Sequence, residues 1–257
     1  MLKKLKCPIL EFDSDRKAVI DPSVVRPIKA KLPPCAVLCY QGDTMARLKR
    51  EGHLKKIFTV KNIAVDYPVY EIKFKGKKVL LVNPYVGATM TAAFIEELGA
   101  AGVTKWISCG SAGVLAPDIA VGHLIIPRSA VRDEGTSYHY LKPAREVSAS
   151  PRAVKAIQAV LNRHGVPYLL SKTWTTDGFY RETAAKVALR RKEGCLAVDM
   201  EAAALFAVAK FRGYQAGTIL YGSDDVSGKD WDRRHAHDRA YIHEKILWLA
   251  VEACLAI

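Results

Sequence analysis

Long apolar runs are missing from this chain. No stretch approaches the ~20 consecutive apolar residues that a bilayer span requires, so no membrane-spanning segment is expected. The opening MLKKLKCPILEF carries lysines without an apolar stretch behind them. That does not fit a secretory leader, and the chain reads as cytoplasmic. Cysteines are few and scattered: Cys7, Cys35, Cys39, Cys109, Cys195 and Cys254 form no CxxC pair. Several lie in apolar runs such as AVLCY and WISCG, the setting of buried reduced thiols rather than of disulfides or zinc. No HExxH spacing occurs either. His235, His237 and His243 of RRHAHDRAYIH have charged flanks and read as the solvated start of a helix, so no metal is expected.

Acidic residues are also in short supply. Lys and Arg number 39 against 26 Asp and Glu, a formal net charge of +13. Such a field draws in anions, whether nucleic acid, phosphate or phosphorylated metabolites. The basic residues are spread along the chain without an RNP-like, zinc-finger or basic-zipper pattern. A basic surface is the simpler reading, and no nucleic-acid partner is expected. With only 17 Gly and 12 Pro, and half the residues hydrophobic, the composition excludes a disordered chain. Internal repeats and linker-like stretches are absent, so residues 1–257 read as one domain.

What is present is alternation. Strand-like runs stand at Ala36–Tyr40 (AVLCY), Val79–Asn83 (VLLVN), Lys105–Cys109 (KWISC), His123–Pro127 (HLIIP), Tyr168–Thr175 and Gly217–Tyr221 (GTILY). Helix-like runs lie between them: TMTAAFIEEL, Pro151–His164, VDMEAAAL and Tyr241–Leu255. This order predicts an α/β fold with a largely parallel or mixed sheet. Sites in such sheets collect beyond the carboxyl ends of strands, where four unusual clusters fall.

The first is CGSAGVLAPD, Cys109–Asp118, whose glycines predict a turn. It lacks the GxGxxG spacing of a dinucleotide site, leaving a small-anion loop with Ser111 as donor, or a plain tight loop. The second, AVRDEGTSYHY (Ala130–Tyr140), is dense enough in polar groups to line a substrate or form a subunit contact. In the third, TWTTDGFYRET, Phe179 and Tyr180 suit stacking on a flat ring or packing on the core, and Arg181 suits carbonyl or phosphate oxygens. The fourth pairs VDMEA with YGSDDVSG. Asp224 and Asp225 are adjacent like charges after an apolar strand, which favours one of them working as an acid. Asp199 suits an N-cap. Glu201, read as helical, shares a face with Leu205 and Val208, where a carboxylate is costly unless something pairs with it. The hydroxyls of a ribose are natural donors to such a group.

Taken in order, QGD (Gln41–Asp43), GATMTAAFIEEL (Gly87–Leu98), CGSAG, VRDEGTSYHY, TTDGFY, VDMEAAA and SDD resemble the nucleoside phosphorylase family, which includes hexameric purine nucleoside phosphorylases and uridine phosphorylases. VRDEGTSYHY is most similar to the uridine branch, and VDMEAAA is the most specific motif. The resemblance implies a three-layer α/β/α domain with a central mixed sheet. It also implies cleavage of an N-glycosidic bond by phosphate, without metal or cofactor, and a homo-oligomer between dimer and hexamer. By the same resemblance, Gly42, Ser111 and Arg47 would bind phosphate, and Met200 and Glu201 the ribose. Phe179, Arg181 and Asp224 would lie at the base, with Asp224 donating a proton to it.

The chain also departs from the family pattern. Ser108 stands where an arginine is usual, and Arg47 comes one residue late. No match is found for the arginine that a neighbouring subunit usually lends. No glutamine follows the FY pair, and ILEFDSDRKAV lacks the usual N-terminal histidine. Each lost charge-assisted contact removes ~1.5–3 kcal/mol. A hydrolase using water, or a nucleoside-binding protein without turnover, are therefore the competing readings.

Overall fold

The computed structural model describes residues 2–25, 28, 31–61, 63, 65–234 and 239–257. Among the described residues ten strands are present: β1 (Cys35–Cys39), β2 (Lys55–Lys61), β3 (Asp66–Phe74), β4 (Lys77–Val82), β5 (Lys105–Val114), β6 (Leu124–Asp133), β7 (Glu146–Ser148), β8 (Tyr168–Thr176), β9 (Cys195–Asp199) and β10 (Gln215–Asp225). The helices are α1 (Pro22–Val25), α2 (Gly42–Arg50), α3 (Ala88–Ala100), α4 (Pro151–Arg163), α5 (Ala184–Lys192), α6 (Ala202–Arg212) and α7 (Ala240–Ala256). Short 3-10 turns cover Pro8–Leu10, Thr136–His139 and Phe179–Arg181. No helix among the described residues is long and apolar enough to cross a membrane.

The strands make one mixed sheet, in the order β10-β6-β8-β9-β5-β1-β4-β3-β2, with β7 paired to β6 off this path. Because β10 also pairs with β5, the strands β5, β9, β8, β6 and β10 close into a ring. The remaining path, β1-β4-β3-β2, leaves the ring as an open wing. Within the ring, β5 and β10 run parallel over Gln215–Asp225. Strand β9 meets β5 antiparallel only at Gly113–Val198 and Val114–Ala197, so the carboxyl ends of the two strands converge. The candidate site lies at that convergence.

Helices α4 and α7 pack on each other, and α7 also lies against β1, β4, β5 and β10. Helix α6 packs on α3 and on β6, β8 and β10. Being enclosed on several sides, α6 is apolar around most of its circumference, with Ala202 through Ala209 all buried. Alanine-rich composition favours the helix. It stops at Gly213, whose left-handed φ of 84° lets its N–H reach Ala209 O. Trp106, Trp174, Tyr221, Phe94 and Phe206 are the largest buried side chains.

The mixed α/β fold is as expected, but two boundaries differ and one hairpin is added. CGSAG is not a turn: β5 continues through it to Val114, because β10 supplies a hydrogen-bonding partner along that whole length. VDMEA is not helical. Val198 and Asp199 end β9, and α6 begins at Ala202 with Glu201 at the N-cap. The hairpin of β2 and β3 is an addition to the expected elements.

Part of the polar density of AVRDEGTSYHY is spent within the chain. Arg132 donates to Ser137 Oγ (2.8 Å), Lys142 O (2.8 Å) and Leu141 O (3.2 Å). Glu134 accepts from the Ser137 N–H at 2.9 Å. Of the tail histidines, His235 and His237 lie outside the described residues. His243 lies in the first turn of α7, as expected of a helix start, but is half-buried rather than solvated, its Nε2 2.7 Å from the Tyr221 hydroxyl.

Gly222 occupies a point of close approach on β10. A Cβ there would meet Val114 Cγ1 at 2.8 Å and the Ala120 carbonyl oxygen at 3.2 Å. Overpacking of this kind costs ~1–3 kcal/mol. Gly222→Ala is therefore expected to lower the unfolding free energy by that amount, read in equilibrium unfolding as a lower denaturant midpoint at unchanged m-value.

Candidate active site

A cavity of ≈ 540 Å³ opens where β5, β9 and β10 end. Strand β5 brings Ser108 and the Gly110–Gly113 run to its wall. Strand β10 brings Thr218, Leu220, Ser223 and Asp224. The pairing of β10 with β5 slips between Gly222 and Asp224, and this bulge re-aims the acidic end of the strand. The turn after β8 supplies Phe179, Tyr180 and Glu182, and the β9–α6 junction supplies Asp199, Met200 and Glu201. Tyr40, Val86 and a strap including Lys229, Asp230, Trp231 and Arg233 complete the lining.

Glu201 is the unusual group. A helix start leaves backbone N–H groups without partners, and a residue at the N-cap normally serves one of them. Here that task falls to others. Asp199 Oδ2 accepts the N–H groups of Glu201 (2.9 Å) and Ala202 (2.6 Å), and Thr175 Oγ1 accepts that of Ala203 (3.0 Å). Asp199 Oδ1 is held in turn by the hydroxyls of Thr173 (3.1 Å) and Thr175 (2.8 Å). The Glu201 side chain makes no capping bond and turns to the cavity.

The partner of Glu201 is a backbone amide: the Gly87 N–H donates to Oε1 at 2.7 Å. Gly87 has φ 122° and ψ 148°, a conformation essentially restricted to glycine. Among the described residues no cation pairs with Glu201. Burial, and secondarily the Asp199 charge, push its carboxyl up to about 8 against the pull of the Gly87 N–H. Burial also raises Asp199, against its four hydrogen bonds. Tyr40, its hydroxyl 2.7 Å from Thr91 Oγ1, is raised by burial and then by the Glu201 charge.

Asp224 reaches the cavity with both oxygens engaged. Ser223 Oγ is 2.5 Å from Oδ1, and the Trp231 indole N–H donates to Oδ2 at 2.8 Å. Asp225 turns away and pairs with Arg234 at 3.0 Å, which together with the Ser227 contacts holds its carboxyl low despite burial. Phe179 is half exposed at 49% and Tyr180 is 87% exposed, with ring centroids 4.1 Å apart. They form an open aromatic wall at the cavity, not a corner packed on the core.

The structure thus brings Ser111, Phe179, Met200, Glu201 and Asp224 to one cavity. It does not bring Gly42, Arg47 or Arg181 there. Gly42 opens α2 and lies outside the lining, near Asn83. Arg47 lies further along α2, where Glu244 (2.6 Å) and Glu51 (3.3 Å) engage its guanidinium. Arg181 packs its Cβ and Cγ beside Gly178 and is exposed outside the lining. At the position of the missing arginine, Ser108 Oγ donates to Thr218 Oγ1 at 2.7 Å, a neutral pair at the cavity wall. Lys229 and Arg233 are the lining cations among the described residues.

Glu182, Trp231, Lys229 and Arg233 were not legible as site residues. Glu182 sits in RETAAKV and the others in GKDWDRR, charged stretches that read as solvated surface. The one usable signal was the nearness of Glu182 to the FY pair.

A family model described as the phosphorylase superfamily matches residues 34–255. The chain is 31% identical over 167 residues to a uridine phosphorylase of Thermococcus kodakarensis, covering 60% of each chain. It is 29% identical over 190 residues to a DeoD-type purine nucleoside phosphorylase of Colwellia psychrerythraea, covering 72% of this chain and 80% of that one. The solved structure of a uridine phosphorylase from Vibrio fischeri ES114 superimposes with a TM-score of 0.71 at 26% identity, over 92% of this chain and 94% of that one. The matched region spans most of the chain, from the start of β1 into the end of α7, and every element that lines the cavity lies within it. The chain belongs to the phosphorylase superfamily.

Proposed function

We propose that the protein is a nucleoside phosphorylase, which cleaves the N-glycosidic bond of a ribonucleoside with phosphate to give free base and ribose 1-phosphate. One observation carries this reading. Glu201 is a desolvated carboxyl relieved of capping duty, without a paired cation among the described residues, facing a cavity of ≈ 540 Å³. A vicinal diol supplies the two hydroxyl donors such a group needs. Met200 packs beside the sugar, and Phe179 stacks on the base. The acidic pair Asp224 and Glu182 stands at the base edge, where negative charge develops as the bond breaks.

Phosphate lies against the β5 backbone at Gly110–Gly113, with the Ser111 hydroxyl as donor. No bound cofactor is required by this scheme. The relatives named as phosphorylases of uridine and of purine nucleosides support a nucleoside substrate. The protein acts in the cytoplasm as a homo-oligomer. A specific observation favours a second reading on the same site: Ser108, where an arginine is usual, pairs with Thr218, and Arg47 is engaged by Glu244 away from the cavity. Water would then be the nucleophile and free ribose the product.

Purified protein incubated with inosine, adenosine, guanosine and uridine is expected to release base and ribose 1-phosphate only when phosphate is added. Free ribose formed without phosphate would establish the hydrolase, and binding without product would remove both enzymes.

A second expectation concerns Glu201→Gln. The Glu201 carboxyl is raised from its ordinary 4.5 to about 8 in the folded protein. Folding then binds a proton, so stability is full below 4.5 and declines as the pH rises to about 8. Glutamine removes that decline. Calorimetry of the ligand-free proteins should show the variant melting above wild type at pH values beyond about 8 and level with it near 4.5. Nucleoside turnover by the variant should fall about 10²-fold or more, as for loss of an orienting contact. Equal melting at high pH, or near-normal turnover, would show a carboxyl with only a local structural role.

A further inference from the structure

Two carboxyls line the base end of the cavity, and their surroundings differ. Asp224 is fixed by Ser223 and by the Trp231 indole at 2.5 and 2.8 Å. Glu182 lines the same cavity half-buried, and its carboxyl meets no hydrogen-bond donor or ion-pair cation among the described residues. Its backbone is held where it is needed. The Glu182 N–H donates to Phe179 O at 3.2 Å, and the Arg181 N–H to Gly178 O at 2.7 Å. The turn that presents the aromatic wall therefore also presents this acid.

We propose that Glu182 is the catalytic acid of the glycosidic step. Its carboxyl hands a proton to a departing purine, while Asp224, clamped by Ser223 and Trp231, is the fixed negative neighbour that keeps the proton on Glu182 until then. This assignment rests on the nucleoside-cleaving reading of the site. The balance is simple. The C1′–N9 bond breaks and its electron pair passes into the purine ring. The Glu182 proton goes to N7, and an oxygen of phosphate bonds to C1′. Glu182 is left as a carboxylate and recovers a proton from solvent at the exposed Tyr180 rim. A purine suits this chemistry because N7 carries an in-plane lone pair close to the breaking bond, and uracil has no such ring nitrogen.

The charges around Glu182 agree with the role. Burial and then the Asp224 charge from β10 lift its carboxyl to about 7, opposed by Lys186 from α5. Lys229, Asp230 and Arg233 from the strap, with Asp199 and Glu201 from the β9–α6 junction, are the other charged groups lining the cavity. An acid with a value near the working pH combines a sizeable protonated fraction with a strong driving force for transfer.

The test compares wild type, Glu182→Gln and Asp224→Asn on inosine and on 4-nitrophenyl β-ribofuranoside, whose leaving group departs without a proton. For wild type, kcat/KM on inosine should fall on the alkaline side with a midpoint near the Glu182 value of about 7. Glu182→Gln should lose about 10²–10⁴-fold on inosine, lose that alkaline fall, and stay within about tenfold of wild type on the nitrophenyl riboside. Its turnover of the riboside also reports an intact fold. Asp224→Asn should keep an alkaline fall but move it to lower pH, because the neighbouring charge is gone. Equal losses of Glu182→Gln on both substrates, or an unchanged alkaline limb, would overturn the assignment. So would turnover of uridine but not inosine by wild type. Wild type that cleaves neither inosine, uridine nor the riboside would overturn the nucleoside-cleaving reading itself, an outcome distinct from these.

Discussion

Asp199 holds the site together. It accepts two hydroxyls from β8 and two N–H groups from the first turn of α6, at the place where β9 ends. Those four bonds lock strand to strand and strand to helix, and they satisfy the helix terminus without using Glu201. A buried carboxylate with four donors is well compensated, and removal of its partners would leave an expensive charge inside the protein. The freedom of Glu201 to face a cavity is thus a result of how its neighbour is used. The glycine backbone at Gly87 completes the arrangement from α3, placing a single amide on the Glu201 oxygen.

Around this junction the cavity has a buried side and an exposed side. The β5–β10 ladder, α3 and α6 form a packed wall that carries Ser111, Met200, Glu201 and Asp224. The opposite lining consists of the Phe179–Arg181 turn and the strap through Trp231, with large exposed aromatics. Under the proposed reading, the sugar anchors on the buried wall and the base rests against the exposed one. The reaction centre needs fixed geometry, and the base must enter and leave.

Much of this was readable in the residues. Short β-branched and apolar runs marked β1, β4, β5, β6, β8 and β10, because each is buried along most of its length and flanked by polar turns. The alternation with helices fixed the α/β class. Strand β9 escaped because CLAVD is short and flows directly into an alanine-rich helix, so periodicity merges the two. CGSAG read as a turn because glycines weaken strand propensity, whereas here the ladder with β10 overrides it. Hydrogen-bonded position, not residue type, decided both cases. Glu201 was legible as an anomaly among alanines, though not as an N-cap. Glu182 and Trp231 were not, since nothing local distinguishes a solvated charge from one that a distant strand brings into a cavity. Arg47 shows the converse: its place in the motif order says nothing about Glu244, 197 residues away in sequence.

The ring of five strands also bears on how the protein meets copies of itself. Among the described strands, β2 at the end of the wing pairs on one side only, so its outer side is a long edge open to intruding chains; the three-residue β7 is a short one. Strand β2 reads KKIFTVK, with Lys55, Lys56 and Lys61 exposed at its two ends. Bringing two such strands together would crowd ammonium groups and strip their water, which discourages strand-to-strand association. Part of the chain's surplus of positive charge therefore guards a seam that the fold leaves unsealed.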